Sequence, residues 1–205
     1  MLDRLMSYFD TPADKKENKP VEKNPFTTSE DIVKAVNPKD PGICWPLVNL
    51  YTKYQLGAGS KDFMQGTPGE IYQTAVAERE HQLSLNAHGK DGVNSAFTDS
   101  GVEYTPVFHK VEEMATDTGV RNALGTGSNA IITFQIEGHT PTGDNLLHQI
   151  AIGKDRYQPR KYYFFDPNIR GGERIGQSDF LFFKTAKTIK ENISPTARQV
   201  LVATH

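Results

Sequence analysis

The chain has 205 residues, 37% of them hydrophobic and 23% charged, with 23 basic and 25 acidic side chains giving a net charge of −2. That balance excludes a strongly basic nucleic-acid or polybasic membrane binder. No apolar run approaches the roughly 20 residues of a membrane helix, so no transmembrane segment is expected.

Leu2, Leu5, Met6 and Phe9 follow the i, i+3, i+4, i+7 spacing of a short amphipathic helix. The following stretch to Pro25 is rich in charge and proline, and it reads as a linker that cannot offset its ordering entropy. Residues 1–25 are thus a flexible N-terminal segment, a frayed terminus or an export or docking segment, and residues 26–205 form the folded domain. Thr28-Ser-Glu-Asp31 has the form of a capping box, opening a short helix that Pro38 stops. A second helix is expected within Gly42–Tyr54. A third starts at Thr67-Pro-Gly-Glu70 and runs to Gly89. Residues 89–105 read as loop, and a helix is expected from about Pro106 to Thr116, closing at Gly119.

Beyond this point the pattern turns to short β-branched and aromatic runs: Ala130–Ile136, Leu146–Ile152 and Lys161–Phe165, with a loop at Gly138–Gly143. A late helix follows from Ser178, and a last strand covers Gln199–Ala203. Helices first and strands second predict an α+β fold with a C-terminal antiparallel sheet.

The single cysteine, Cys44, excludes an internal disulfide and a thiolate-rich zinc site. Pro46 fixes its position, because proline is tolerated only in the first turn of a helix. The helix therefore begins at about Cys44 or Trp45, where free N–H groups and the helix dipole favour a thiolate. Taken alone, such a residue also reads as a small buried hydrophobe. A thiol nucleophile needs a base, and five of the six histidines (His81, His88, His109, His139 and His205) occupy polar helix, turn or terminal positions. His148 shares a strand face with Leu146, Ile150 and Ile152, at the margin of the core. The next strand ends in Phe165-Asp166-Pro167-Asn168, so Asp166 stands where it can accept from an imidazole nitrogen. A plain Asx turn at Asp166 accounts equally for that residue alone. No metal constellation stands out among the scattered histidines, and no cofactor is expected.

Cys at a helix start, His on a later strand and Asp at the end of the next strand is an order that resembles the papain-like cysteine peptidases. Gly42-Ile-Cys44-Trp45 resembles the segment around their nucleophile. His148-Gln-Ile-Ala151, Phe165-Asp-Pro-Asn168 and the nearby Gly171 resemble the YopT-type family of secreted bacterial effector peptidases. The resemblance rests on these anchors within residues 42–171. It implies a papain-like fold in which the nucleophile helix packs on the sheet carrying His and Asp, with Cys44, His148 and Asp166 as the triad. It also implies secretion without a classical signal peptide, action in a host or target-cell cytoplasm, and a protein substrate there. A secretion chaperone or immunity protein is a further expected partner. The papain glutamine that helps bind the oxyanion has no counterpart in Asn37-Pro-Lys-Asp-Pro41. The candidate oxyanion donors are the backbone N–H of Cys44 and the side-chain amide of Asn37. Deamidation, transglutamination or peptidoglycan amide cleavage would use the same triad. A non-catalytic binding domain is the remaining alternative.

Overall fold

A computed structural model describes residues 26–85, 94–139 and 145–205 of the chain. Residues 1–25, His88, Gly89 and positions 140–143 of the expected 138–143 loop lie outside the described residues.

The helical part opens with α1 (Ser29–Val36), whose first turn is capped by Thr28 Oγ1 accepting from the Asp31 N–H at 3.1 Å. Helix α2 (Cys44–Leu56) follows, then a 3-10 turn (Asp62–Gln65) and α3 (Pro68–Ser84). The α3 start is the expected capping box: Thr67 Oγ1 takes the Glu70 N–H, and the Glu70 carboxylate takes the Thr67 N–H at 2.7 Å. Helix α4 (Asn94–Asp99) occupies part of the stretch expected to be loop.

The expected helix at 106–116 is replaced by strand β1 (Thr105–Lys110), which pairs antiparallel with β6 (Gln199–Thr204) at the sheet edge. Pro106 is compatible with an edge strand, where a missing N–H removes no essential ladder bond. Only Val111–Met114 is helical there, as α5. Gly119 lies inside the next helix, α6 (Asp117–Leu124), rather than ending one. Thr116 caps it by accepting the Gly119 N–H, and a Cβ at 119 would lie 1.8 Å from the Glu113 carbonyl oxygen, so only glycine fits this tight corner.

Strands β2 (Asn129–His139) and β3 (Asn145–Lys154) match the expected runs with longer ends, and β4 (Tyr162–Phe165) matches one residue shorter at its start. A short strand that the sequence did not announce, β5 (Glu173–Gly176), precedes α7 (Ser178–Asn192). The sheet is antiparallel with strand order β1-β6-β2-β3-β4-β5.

Period-two alternation divides the sheet residues between two cores. Ile131, Ala151, Tyr163 and Phe165 pack with Ile43, Leu47, Tyr51 and Phe97 of the first helical layer. Ile132, Phe134, Ile150 and Phe164 pack with Met114, Leu124, Leu181 and Ile189 of α5, α6 and α7. Helices thus cover both faces of the sheet, the N-terminal ones with Cys44 on one and α5, α6 and α7 on the other. No helix among the described residues is long and apolar enough to cross a membrane.

Candidate active site

The loop entering α2 is held by one buried carboxylate. Asp40 accepts from both terminal nitrogens of Arg79 at 2.9 and 2.8 Å, from the Tyr72 hydroxyl at 2.7 Å and from the Gly42 N–H at 2.9 Å. Burial alone would raise the Asp40 pKa, but these bonds, led by Arg79, hold it below the usual carboxylate range. Gly42 takes φ of 139°, a conformation L side chains rarely adopt, and turns the chain into the helix.

Cys44 is the first residue of α2, and Pro46 sits within its first turn. The earliest helical bond runs from the Leu47 N–H to the Ile43 carbonyl at 3.2 Å, so the N–H groups of Cys44 and Trp45 have no helical acceptor. The first turn contains no acidic side chain to occupy the positive end of the dipole. The thiol is half-buried, with Sγ 3.8 Å from the Leu147 carbonyl oxygen. Helix α2 thus delivers its cysteine to the side of the residue preceding His148.

His148 is 3% exposed and lies edge-on to Phe134, with ring centroids 5.5 Å apart. Its Nε2 is 2.9 Å from Asp166 Oδ1. Asp166, equally buried, directly follows β4, and the same Oδ1 accepts the Asn168 N–H at 2.8 Å. The Asx turn and the imidazole contact, weighed as alternatives from the sequence, therefore coexist on one oxygen. Burial alone would lower the His148 pKa. The Asp166 hydrogen bond, then the interactions with Cys44, outweigh it and push the imidazole up to about 10.

Two clefts meet at His148. One, of about 400 Å³, is lined by Cys44, His148, Asn168 and the apolar Val33, Pro41 and Leu146. The other, of about 590 Å³, runs toward α7 past Asp166, Ile169, Lys184 and Thr188. His148 and Asn168 border both, so the imidazole stands between the carboxylate and the cleft that holds the thiol.

No protein-family profile matches the chain, and no curated protein sequence matches it significantly. Among solved structures it is similar to the Pseudomonas avirulence protein AvrPphB, with a TM-score of 0.45 and 14% sequence identity over 87% of this chain and 97% of that one.

Asn37 is engaged elsewhere: its side-chain amide donates to the Tyr72 hydroxyl at 2.8 Å, and the cleft around Cys44 is lined by Pro38, Asp40 and Gly42 but not by Asn37. Of the other histidines, His81 contacts Asp99 at 3.0 Å, His205 contacts the Glu103 carbonyl, and His109 lies on β1 rather than on a helix. No metal-binding group of His, Cys, Asp and Glu occurs among the described residues. Sequence reasoning missed Asn168 as a cleft residue and missed the Arg79–Asp40 clamp. The Asn168 signal was present in the Asp-Pro-Asn turn, whereas Arg79 lies 39 positions from its partner and carries no local signature.

Proposed function

We propose that the chain is a papain-like thiol hydrolase, a cysteine peptidase acting on a protein of a host or target cell. The observation that carries this reading is the position of His148, bonded through Nε2 to Asp166 while its ring borders the cleft containing Cys44. In this mechanism His148 Nδ1 takes the Cys44 proton, and Asp166 fixes the tautomer and stabilises the imidazolium. The thiolate attacks a peptide carbonyl carbon. The backbone N–H of Cys44, free of the helical ladder, donates to the developing oxyanion. His148 returns its proton to the leaving amine, and water, deprotonated by the same imidazole, hydrolyses the thioester. Asn37, held by Tyr72, is the weaker of the two oxyanion candidates.

The cleft supports a polypeptide substrate, because the apolar walls beside Cys44 suit an extended chain segment. The domain of this reading spans 26–205, with 1–25 an export or docking segment ahead of it. Secretion without a classical signal peptide into a host or target-cell cytoplasm, and a secretion chaperone or immunity protein as partner, complete the proposal.

The test compares target-cell lysate treated with wild type and with Cys44→Ala by N-terminal proteomics. New N-termini seen only with wild type are expected. An amide-to-acid mass gain without fragments would replace proteolysis by deamidation. Lysates that match in every peptide would remove the hydrolase reading.

A further inference from the structure

Asn168 makes three bonds that converge on the imidazole. Its backbone N–H goes to Asp166 Oδ1 at 2.8 Å, its Oδ1 accepts from the hydroxyl of the buried Ser29, and its Nδ2 lies 3.4 Å from His148 Nδ1. The approach follows from the turn after β4: the ladder ends at the Ala151–Phe165 pair, and the turn closed by the Ile169 N–H on the Asp166 carbonyl sets the Asn168 amide against His148. The Ser29 segment is itself anchored to this turn, with the Ser29 N–H on the Pro167 carbonyl and the Gly171 N–H on the Phe26 carbonyl, both at 2.7 Å.

Asp166 accepts from Nε2, so the lone pair of the neutral ring lies on Nδ1, and the Asn168 amide presents Nδ2 to it while its Oδ1 accepts from the Ser29 hydroxyl. An amide N–H there is compatible with a lone pair on Nδ1 but not with another N–H. We propose that Asn168 is a positioning residue, held by Ser29, that favours the His148 tautomer with its proton on Nε2 and its lone pair on Nδ1. This deepens the thiol-hydrolase reading and rests on it for the role of His148 as base. Asp166 and Cys44 draw a proton onto the ring, while the Asn168 amide opposes it and eases its release to a leaving amine. An acid–base group works best with its pKa near the operating pH, so such a counterweight is mechanistically useful.

The charged groups that face His148 bear on the test. Cys44 from α2 and Asp166 after β4 interact with it directly. Across the thiol-side cleft stand Glu30 and Lys34 of α1 with Asp40, and across the other stand Glu137 of β2 with Lys184 and Glu191 of α7. All of these are retained when Asn168 or Ser29 is changed.

The experiment follows the His148 ring nitrogens by NMR across a pH titration of the full chain, in wild type, Asn168→Ala, Asn168→Asp and Ser29→Ala. Asn168→Ala and Ser29→Ala should each raise the His148 midpoint by about 0.5 to 1 pH unit. Asn168→Asp should raise it further, because an anionic oxygen would then face Nδ1. The fraction of neutral ring protonated on Nε2 should fall in both alanine variants. Ser29→Ala leaves the Asp-Pro-Asn turn chemically intact, so it answers the question even if Asn168→Ala does not fold. A His148 midpoint and tautomer unchanged in Ser29→Ala would overturn the proposal. Because the titration uses no substrate, its outcome is independent of whether cleaved targets are found.

Discussion

Burial by itself would strip the proton from His148, and what restores it is chiefly one carboxylate at 2.9 Å. Asp166→Asn keeps the shape of that contact but removes its charge. The His148 midpoint should therefore drop below about 10, and an amide at position 166 can present either its oxygen or its nitrogen to Nε2, whereas the carboxylate only accepts. By the behaviour of triad acids elsewhere, hydrolysis of an identified target should fall by roughly 10³- to 10⁴-fold. The measurement is kcat on that target beside an NMR titration of the ring. An Asp166→Asn enzyme with unchanged kcat would remove Asp166 from the mechanism. The pairing of His148 with Asp166 was legible because His148 shares a strand face with apolar residues and Asp166 directly follows the end of the next strand. The contact of Asn168 with Ser29 joins positions 139 residues apart, and no local pattern encodes such a partner.

At the scale of elements, two devices set where Cys44 points. One is the Asp40–Arg79 clamp on the loop before α2, and the other is the stacking of Tyr51 on Phe165, with ring centroids 4.2 Å apart. Tyr51 lies two turns along α2 from Cys44, and Phe165 immediately precedes Asp166, so this stack couples the thiol helix to the carboxylate strand. Phe165→Ala opens the centre of that core and should cost about 3–5 kcal/mol in urea unfolding. Arg79→Ala leaves the buried Asp40 carboxylate without its cation. It should cost about 1–3 kcal/mol and also slow alkylation of Cys44, because the loop that places the helix start is released. Thr67→Ala removes only the α3 cap and should cost about 1 kcal/mol while leaving Cys44 alkylation at the wild-type rate. Equal alkylation rates in Arg79→Ala and Thr67→Ala would show that the clamp does not position the thiol. The helix starts were readable from the sequence wherever capping chemistry is local, as at Thr28 and Thr67, and Pro46 indicated where α2 begins. At β1 the same grammar misled. The helix expected from about Pro106 is replaced by a strand, because pairing with β6, a strand nearly a hundred residues later, outweighs the local preference. Strand β5 is four residues long and exists only because β4 offers it a ladder, so no periodicity announces it.

For the whole molecule, protonation of one buried ring ties stability to pH. The His148 pKa rises from an ordinary 6.5 to about 10 on folding, so the native state keeps a proton that the unfolded chain releases between those values. The stabilisation is fully present below about pH 6.5 and is lost as pH climbs toward about 10, with a slope of at most about 1.4 kcal/mol per pH unit. Other shifted groups act outside this window. Burial raises Tyr51 and Tyr163, and takes Tyr54 to about 12, so these contribute only above the ordinary tyrosine value of 10. Asp40 and Asp99 are shifted the other way despite burial, by Arg79 and Lys53 respectively, and their stabilisation is lost only as pH falls through the acid range. The urea midpoint of wild type should therefore decline between pH 7 and 9.5, and the decline should be shallower in His148→Gln, which has no proton to lose. Because the same proton sits between Asp166 and the thiol cleft, the fold is most stable in the protonation state that a thiolate partner requires. Parallel slopes in wild type and His148→Gln would separate the stability of the domain from the chemistry proposed for its cleft.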